Sequence, residues 1–245
     1  MSASPADHAA ERVGNTTAIR VHGNDRDPLV VVSGVNKHYG DLHVLNDINT
    51  TVGRGEVVVV LGPSGSGKST LLNLIGGLDT PTSGRIRIGD QDIGSLSRAA
   101  LSEVRLRKIG FVFQEYNLIP VLSAIENVEY VMLLQGVPEA QRRGRALAIL
   151  AELGLGGLEH RRPGQLSGGQ QQRVAVARAM VSEPMIVLPD EPTANLDSQA
   201  GAALLDLMRE LNEKMGTTFV FSTHDPMVMQ RAKRIIRLCD GKIVP

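Results

Sequence analysis

Residues 62–69 combine three glycines, small hydroxyl side chains and one lysine in the order of a phosphate-binding loop. They follow the apolar run 57–61 and precede the apolar-rich run 70–75, so the loop joins a predicted strand to a predicted helix. Glycines let successive backbone N–H groups turn inward, and the helix start adds partial positive charge. We expect Lys68 to reach the β- and γ-phosphates of a nucleoside triphosphate and the Ser69 hydroxyl to bind Mg²⁺. The predicted nucleotide contacts are Gly62, Pro63, Ser64, Gly65, Ser66, Gly67, Lys68, Ser69 and Thr70.

Two acids, Asp190 and Glu191, follow a second apolar run at 185–188. In open α/β sheets, ligands bind at the carboxyl ends of the strands, so Asp190 is expected to serve Mg²⁺ directly or through water. Glu191 projects differently and could polarise the attacking water. An apolar run followed by acids more often marks a strand end with solvated side chains. The assignment therefore depends on the phosphate loop being present as well.

A serine and two glycines, at positions 167–169, stand at the start of another predicted helix. The Ser167 hydroxyl and the first backbone N–H groups could form a second anion-binding surface. Taken alone, these residues are better explained as an ordinary helix cap. A second phosphate site makes sense only if it meets the first across an interface.

The composition is that of an ordinary globular protein: 245 residues, 42% apolar, with no formal net charge. A zero net charge does not suggest a nucleic-acid groove. The single cysteine, Cys239, excludes an intrachain disulfide and a Cys-rich metal site. No run approaches the ~20 apolar residues of a membrane helix, so we expect no direct membrane span. Residues 1–28 lack apolar periodicity and are expected to form a flexible tail.

Short apolar strands alternate with helices in the rest of the chain, which favours a mostly parallel sheet covered on both faces. Strands are predicted at 29–32, 44–52, 57–61, 84–89, 109–113, 185–188, 217–221 and 233–238. Residues 124–182 lack strand patterns, so we predict an inserted helical subdomain over about residues 115–182. A further amphipathic helix is predicted between Leu204 and Met215, ended by Gly216.

These motifs together resemble the nucleotide-binding domain of ABC transporters. The resemblance covers residues 29–245 and rests on 62–69, 166–170, 190–193 and 222–225. It implies a single ATPase domain with a P-loop NTPase core, an N-terminal antiparallel β subdomain and the inserted helical subdomain. The cofactors it implies are ATP and Mg²⁺.

The resemblance also implies the roles of individual residues. Glu191 would be the general base, His224 would steady the γ-phosphate and the water, and Gln114 would touch Mg²⁺ and the water between the two lobes. Tyr39 would stack on adenine, and Asp197 would lie in the loop that connects to the next helix. The surface formed by Ser167, Gly168, Gly169 and Gln170 would face the γ-phosphate held by Lys68 of a second copy.

Within the family, the runs 114–120, 126–129 and 166–173 are most similar to the lipoprotein-releasing and macrolide-export branch. This implies an ATP-driven homodimer that powers a separate membrane permease and exports substrate or extracts it from the membrane. The ATPase would be cytoplasmic and peripheral on the inner face of the cell membrane. A docking groove for a permease helix is expected beside residues 115–130.

Three other classes of protein share parts of this pattern. An ABC ATPase could drive a partner that transmits force without carrying cargo, and the nucleotide site cannot separate that function from transport. Soluble ABC proteins of ribosomes or DNA repair carry two nucleotide domains or a long coiled coil, and this sequence has neither. GTPases would show an Asn-Lys-x-Asp motif, which is missing, and neither GTPases nor small-molecule kinases need residues 166–170.

Pro189 departs from the family pattern, which usually has a residue with a backbone N–H immediately before the acids. Proline removes one ladder donor and fixes φ near −65°. The sequence therefore leaves the exact placement of Asp190 and Glu191 open.

Overall fold

The computed structural model describes residues 28–225, 228–229 and 232–245. The predicted tail, 1–28, lies outside these residues except for its last position. The described strands form two sheets. Four strands make an antiparallel sheet in the order β2-β1-β4-β5, and six make a larger sheet in the order β10-β9-β3-β8-β7-β6.

The antiparallel sheet contains β1 (Val30–Tyr39), β2 (Leu42–Val52), β4 (Ser83–Ile88) and β5 (Gln91–Asp92). The larger sheet contains β3 (Val57–Leu61), β6 (Ile109–Val112), β7 (Ile186–Pro189), β8 (Thr218–Thr223), β9 (Arg234–Cys239) and β10 (Lys242–Val244). In it, β3, β6, β7, β8 and β9 run parallel, and only the edge strand β10 is antiparallel. The predicted fold class, with a mostly parallel sheet and an antiparallel β subdomain, is confirmed.

The described helices of eight or more residues are α1 (Lys68–Ile75), α2 (Arg98–Lys108), α3 (Ala124–Leu134), α4 (Glu139–Glu152), α5 (Gly168–Met180) and α6 (Ser198–Met215). Three of them, α3 to α5, lie within the predicted helical subdomain. α2 was not predicted, because only Leu101 and Val104 of its eleven residues are buried and the apolar stripe is short. None of the described helices is long and apolar enough to cross a membrane.

The large sheet separates two apolar cores, as expected for a sheet that is covered on both sides. Successive residues of β3 alternate between them: Val57 and Val59 join one core, and Val58 and Val60 join the other. The first core packs against α3, α4, α5 and α6, and the second packs against α1, α2 and the antiparallel sheet. Because β3 is buried on both faces, the loop that leaves its end starts from a rigid support.

Candidate nucleotide site

The phosphate-binding loop leaves β3 at its carboxyl end and enters α1 through Gly67, whose φ of 101° favours glycine. A Cβ on Gly67 would also lie 2.7 Å from Leu45 Cδ2. At the other end of the loop, a Cβ on Gly62 would lie 2.1 Å from the Leu238 carbonyl oxygen. Glycine is therefore required at both ends of the loop. Gly67 needs both the positive φ and the close approach of neighbouring atoms, and Gly62 needs the close approach alone.

The buried Lys68 side chain bends back over this loop. Its Nζ donates to the carbonyl oxygens of Gly62 at 2.9 Å and Pro63 at 3.0 Å, and lies 3.9 Å from Glu191 Oε1. An ammonium group has three donor hydrogens, so it can exchange one of these partners for a phosphate oxygen without leaving the loop.

Asp190 lies beside the loop at the carboxyl edge of the same sheet. Its Oδ1 accepts hydrogen bonds from Ser69 Oγ at 2.9 Å and from Ser222 Oγ at 2.5 Å. The carboxylate and the Ser69 hydroxyl are both hard oxygen ligands, which Mg²⁺ prefers. Two of the three residues proposed for the metal, Ser69 and Asp190, are thus in direct contact.

Pro189 is the last residue of β7 and pairs with Val112 of β6. The Asp190 N–H donates to Val112 O at 2.8 Å and the Glu191 N–H donates to Ser222 O at 2.9 Å, on the other side. Since N–H directions alternate along a strand, the donor that proline lacks would face β8. The ladder between β7 and β8 pairs only Ile186 and Val187, and an isolated bridge at Asp190 resumes the pairing. Both acids are therefore positioned by their own backbone bonds despite the proline.

Glu191 is held in an unusual backbone conformation, with φ of 47°. Its Oε2 accepts from Thr223 Oγ1 at 3.1 Å, and its Oε1 lies 2.9 Å from His224 Nδ1. A non-glycine residue at positive φ stores strain that is common at functional sites. Its carboxylate is fixed in place between the ends of β7 and β8.

His224 reaches Glu191 through Nδ1 and is otherwise exposed. A carboxylate only accepts, so Nδ1 carries the hydrogen of this bond. In the neutral ring, Nε2 is then an acceptor. To donate a hydrogen bond to a phosphate, the ring must therefore either bind a second proton or release Glu191.

One cavity of about 640 Å³ joins the loop to Gln114, Glu191 and His224, and Asp190 is not among the described residues that line it. It is lined by Val44, Pro63, Ser64, Gly65, Gly67, Lys68, Ser69, Thr70, Gln114, Glu191, Ala194 and His224. Gln114 lies 45 residues beyond Ser69 in the chain. The order of the strands in the sheet brings it, from the end of β6, to the same cavity as the loop. The described residues contain no group of three His, Cys, Asp or Glu side chains that could hold a metal ion. The donor set of Ser69, Asp190 and Gln114 fits Mg²⁺ that shares its remaining positions with phosphate and water.

Three other predicted regions are not among the described residues that line this cavity. Ser167 is exposed and caps α5: its hydroxyl accepts from the Gln170 N–H, and the Gln170 side chain accepts from the Ser167 N–H. Among the described residues that line the cavity, none belongs to 167–170. Asp197 is exposed and caps α6, and Tyr39 ends β1 with half of its surface exposed. Ser167 is therefore an ordinary helix cap in this structure. A phosphate contact from this surface needs a second molecule.

The sequence analysis assigned no individual role to several residues of the site. Ser222 and Thr223 orient the two acids, and Asn195 donates to the Gln114 carbonyl oxygen at 3.0 Å. The hydroxyl pair at the end of an apolar strand, directly before His224, was the available signal for the first two. Asn195 offered no such signal, because its partner is 81 residues away.

A glycine-rich loop between a parallel strand and a helix, with a carboxylate pair at the end of a neighbouring strand, defines a P-loop nucleoside triphosphatase. The family model described as "ABC transporter" matches residues 45–194. The chain belongs to this family, the ATP-binding subunits of ABC transporters, and it is an ATPase.

Individual relatives agree with this assignment. The chain is 48% identical over 229 residues to the lipoprotein-releasing system ATP-binding protein LolD of Anaeromyxobacter dehalogenans, covering 89% of this chain and 93% of that protein. It is 46% identical over 221 residues to the macrolide export ATP-binding/permease protein MacB 1/2 of Paracoccus denitrificans, covering 89% of this chain but 33% of that protein. The chain therefore spans about a third of the length of that MacB relative.

Among solved structures, the chain resembles the dimeric post-hydrolysis state of the ATP-binding cassette MJ0796 bound to ADP and Pi. The TM-score is 0.81 at 43% identity, covering 88% of this chain and 97% of that one. A second dimeric structure of MJ0796, described as a bacterial ABC transporter cassette, matches with a TM-score of 0.82. The similarity to LolD, MacB and these cassettes confirms the predicted family and its branch.

Proposed function

We propose that two copies of this chain bind two ATP molecules between them and that hydrolysis of ATP drives a separate membrane permease. The observation that carries the proposal is the division of the predicted site. One cavity brings together the phosphate loop, Gln114, Glu191 and His224, while the surface at 167–170, with Ser167 exposed and the other three residues half-buried, does not line it. A closed dimer would bring this surface of one copy to the γ-phosphate bound by the other.

The chemistry assigned to each side chain follows from its contacts. Glu191 is the general base, because its fixed carboxylate faces the cavity and lies 3.9 Å from Lys68 Nζ. Lys68 binds the β- and γ-phosphates, and His224 steadies the γ-phosphate after exchanging its bond to Glu191. Mg²⁺ would be held by Ser69, Asp190 and Gln114 and would neutralise phosphate charge. Tyr39 stacks on the adenine.

Dimerisation supplies the remaining donors. The backbone N–H groups of Gly168 and Gly169 lie in the first turn of α5, where they have no partner within the helix. Opposite a γ-phosphate, they would stabilise charge that grows in the transition state. Loss of the γ-phosphate would then weaken the dimer, which links hydrolysis to opening.

A permease partner is supported by an exposed apolar surface on the helical part of the chain. Val121 is 70% exposed, and Tyr130, Leu133 and Leu134 of α3 are also exposed. This surface overlaps the predicted docking region beside residues 115–130. The similarity to LolD and MacB supports export, or extraction from the membrane, with this chain peripheral on the cytoplasmic side.

The test is the Glu191→Gln variant, studied by light scattering and ATPase assay with Mg²⁺ and ATP. Without its general base, the variant is expected to bind ATP and accumulate as a dimer, with turnover reduced by about 10²–10⁴-fold. Glu213→Gln, on the exposed side of α6, is the matched control and should behave as the parent protein. Normal turnover by Glu191→Gln would remove Glu191 from its role.

A second substitution tests the dimer itself. Ser167→Arg in the Glu191→Gln background adds bulk at the proposed interface while leaving the phosphate loop intact. We expect ATP binding to persist and the dimer to disappear. Gln141→Arg, near the start of α4 and also exposed, should leave the dimer unaffected. A dimer that survives Ser167→Arg, or a parent chain that stays monomeric with ATP even beside its permease, would contradict the proposal.

A further inference from the structure

Three side chains outside the nucleotide cavity form a closed hydrogen-bonded cluster at the end of β1. The Tyr39 hydroxyl donates to Asp79 Oδ2 at 2.6 Å, and Lys37 Nζ donates to Asp79 Oδ1 at 2.8 Å. Lys37 Nζ also donates to the Thr80 carbonyl oxygen at 2.9 Å, and the Thr80 N–H donates to Asp79 Oδ1 at 2.7 Å. Both carboxylate oxygens are therefore occupied, by a total of three donors.

Lys37 of the cluster also contacts one face of the Tyr39 ring. Lys37 Nζ lies 4.6 Å from the centre of the Tyr39 ring, within the range of a cation–π contact. The lysine side chain is 9% exposed, whereas Tyr39 is 49% exposed. The ammonium thus lies against the ring, while half of the surface of the tyrosine remains exposed to solvent.

The electrostatic effects agree with this geometry. Although burial opposes it, the hydrogen bonds from Lys37 and Tyr39 hold the pKa of Asp79 below its ordinary value. The hydrogen bond to Asp79 raises the pKa of the Tyr39 hydroxyl. The tyrosine therefore remains a neutral donor and the aspartate remains an ionised acceptor, so the cluster stays intact at neutral pH.

The cluster ties the ring to the phosphate loop. Asp79 follows α1, and the first two residues of α1 are Lys68 and Ser69. Residues 78 and 79 are fastened to the end of this helix, since both of their N–H groups donate to the Asn73 carbonyl oxygen. The Tyr39 ring is thereby linked, through Asp79, to the same helix that starts at the phosphate site.

We propose that Lys37 and Asp79 are positioning residues that hold Tyr39 as a preorganised platform for the nucleobase, at a set distance from the bound phosphates. The inference rests on the proposed role of Tyr39 and goes beyond it. A ring fixed at its hydroxyl and on one face loses little freedom when a base stacks on the other. The cluster should therefore favour triphosphates that carry a base over those that do not.

The test compares the dissociation constants of MgATP and of magnesium tripolyphosphate, which lacks a base, by calorimetry in the Glu191→Gln background. Tyr39→Ala is expected to weaken ATP binding by about tenfold and to leave tripolyphosphate unchanged. Lys37→Met and Asp79→Asn should each weaken ATP by about three- to tenfold, again without affecting tripolyphosphate. Asp41→Asn, an exposed neighbour, is the matched control.

Tyr39→Phe provides a milder variant that keeps the ring and loses only the bond to Asp79. We expect its dissociation constant for MgATP to lie between that of the parent and that of Tyr39→Ala. The tripolyphosphate measurement reports whether each variant still has a folded phosphate loop. Weakening of both ligands to the same extent by Lys37→Met and Asp79→Asn would show a purely structural role and overturn the inference.

The outcomes separate this inference from the function on which it rests. If Tyr39→Ala leaves ATP binding unchanged, the proposed role of Tyr39 at the adenine is wrong. If Tyr39→Ala weakens ATP while Lys37→Met and Asp79→Asn do not, Tyr39 keeps its role and the positioning cluster is wrong.

Discussion

The turn that follows Gln114 depends on one arginine of α5, and its removal gives a measurable prediction. Tyr116 and Asn117 have φ of 59° and 48°, in the left-handed region. Arg178 Nη2 donates to the Tyr116 carbonyl oxygen at 2.9 Å, and Nη1 donates to that of Asn117 at 2.6 Å. Burial lowers the pKa of the Arg178 guanidinium. The arginine thus connects the Gln114 turn to α5, the helix that Ser167 caps.

The expected cost of Arg178→Met follows from these contacts. Two hydrogen bonds from a charged donor contribute about 1.5–3 kcal/mol each. If Tyr116 and Asn117 relax out of the left-handed region, the variant regains about 1–2 kcal/mol of conformational free energy per residue. The methionine still fills most of the space of the arginine stem, so little packing is lost. We expect the free energy of unfolding to fall by about 2 kcal/mol.

The assay is equilibrium unfolding in urea followed by circular dichroism, together with the ATPase rate of the folded variant. Displacement of Gln114 should lower kcat by about ten- to a hundredfold, because small errors in position are costly. Arg178→Lys, which keeps the charge but not the forked geometry, should lose about half as much stability. The matched control is Arg145→Met at an exposed position on α4.

The result that would refute this reasoning is a loss of less than about 0.5 kcal/mol for Arg178→Met, which is the range of ordinary surface substitutions. Full turnover by a destabilised Arg178→Met would refute the link to Gln114 alone, and would leave the stability argument in place.

Three further outcomes are expected. Pro189→Ala should leave turnover unchanged in a steady-state ATPase assay, since backbone bonds to Val112 and Ser222 position the acids, and a changed rate would mean that the proline itself shapes the site. Gly62→Ala should abolish ATP binding in a filter assay, because its Cβ would meet a carbonyl oxygen at 2.1 Å, whereas Gly144→Ala on α4, with no atom within 4 Å of its Cβ and no positive φ, should leave binding unchanged. Asp79→Asn should be less stable than the parent at neutral pH. Because the pKa of Asp79 is lowered in the folded state, this difference should shrink as the pH falls below about 4 and through the folded value, and a constant difference in urea titrations would contradict the assignment.

The sequence alone was sufficient for the family, the fold class and every contiguous motif. The phosphate loop could be recognised because its glycines, its lysine and its flanking strand and helix lie within about twenty residues and each has a local conformational reason. The strands β3, β7 and β8 were predicted close to their observed bounds, because they are short, apolar and buried on both faces. α2 was missed, since a polar helix with two buried residues gives little periodic signal.

Only the tertiary structure decided which distant residues meet. Ser222 reaches Asp190 across 32 positions, Asp79 reaches Tyr39 across 40, and Arg178 reaches Tyr116 across 62. These contacts depend on the order of strands in the sheet and on the packing of helices against it, which no local pattern encodes. The effect of Pro189 belongs with them, because whether a missing N–H matters depends on which neighbouring strand it would have faced.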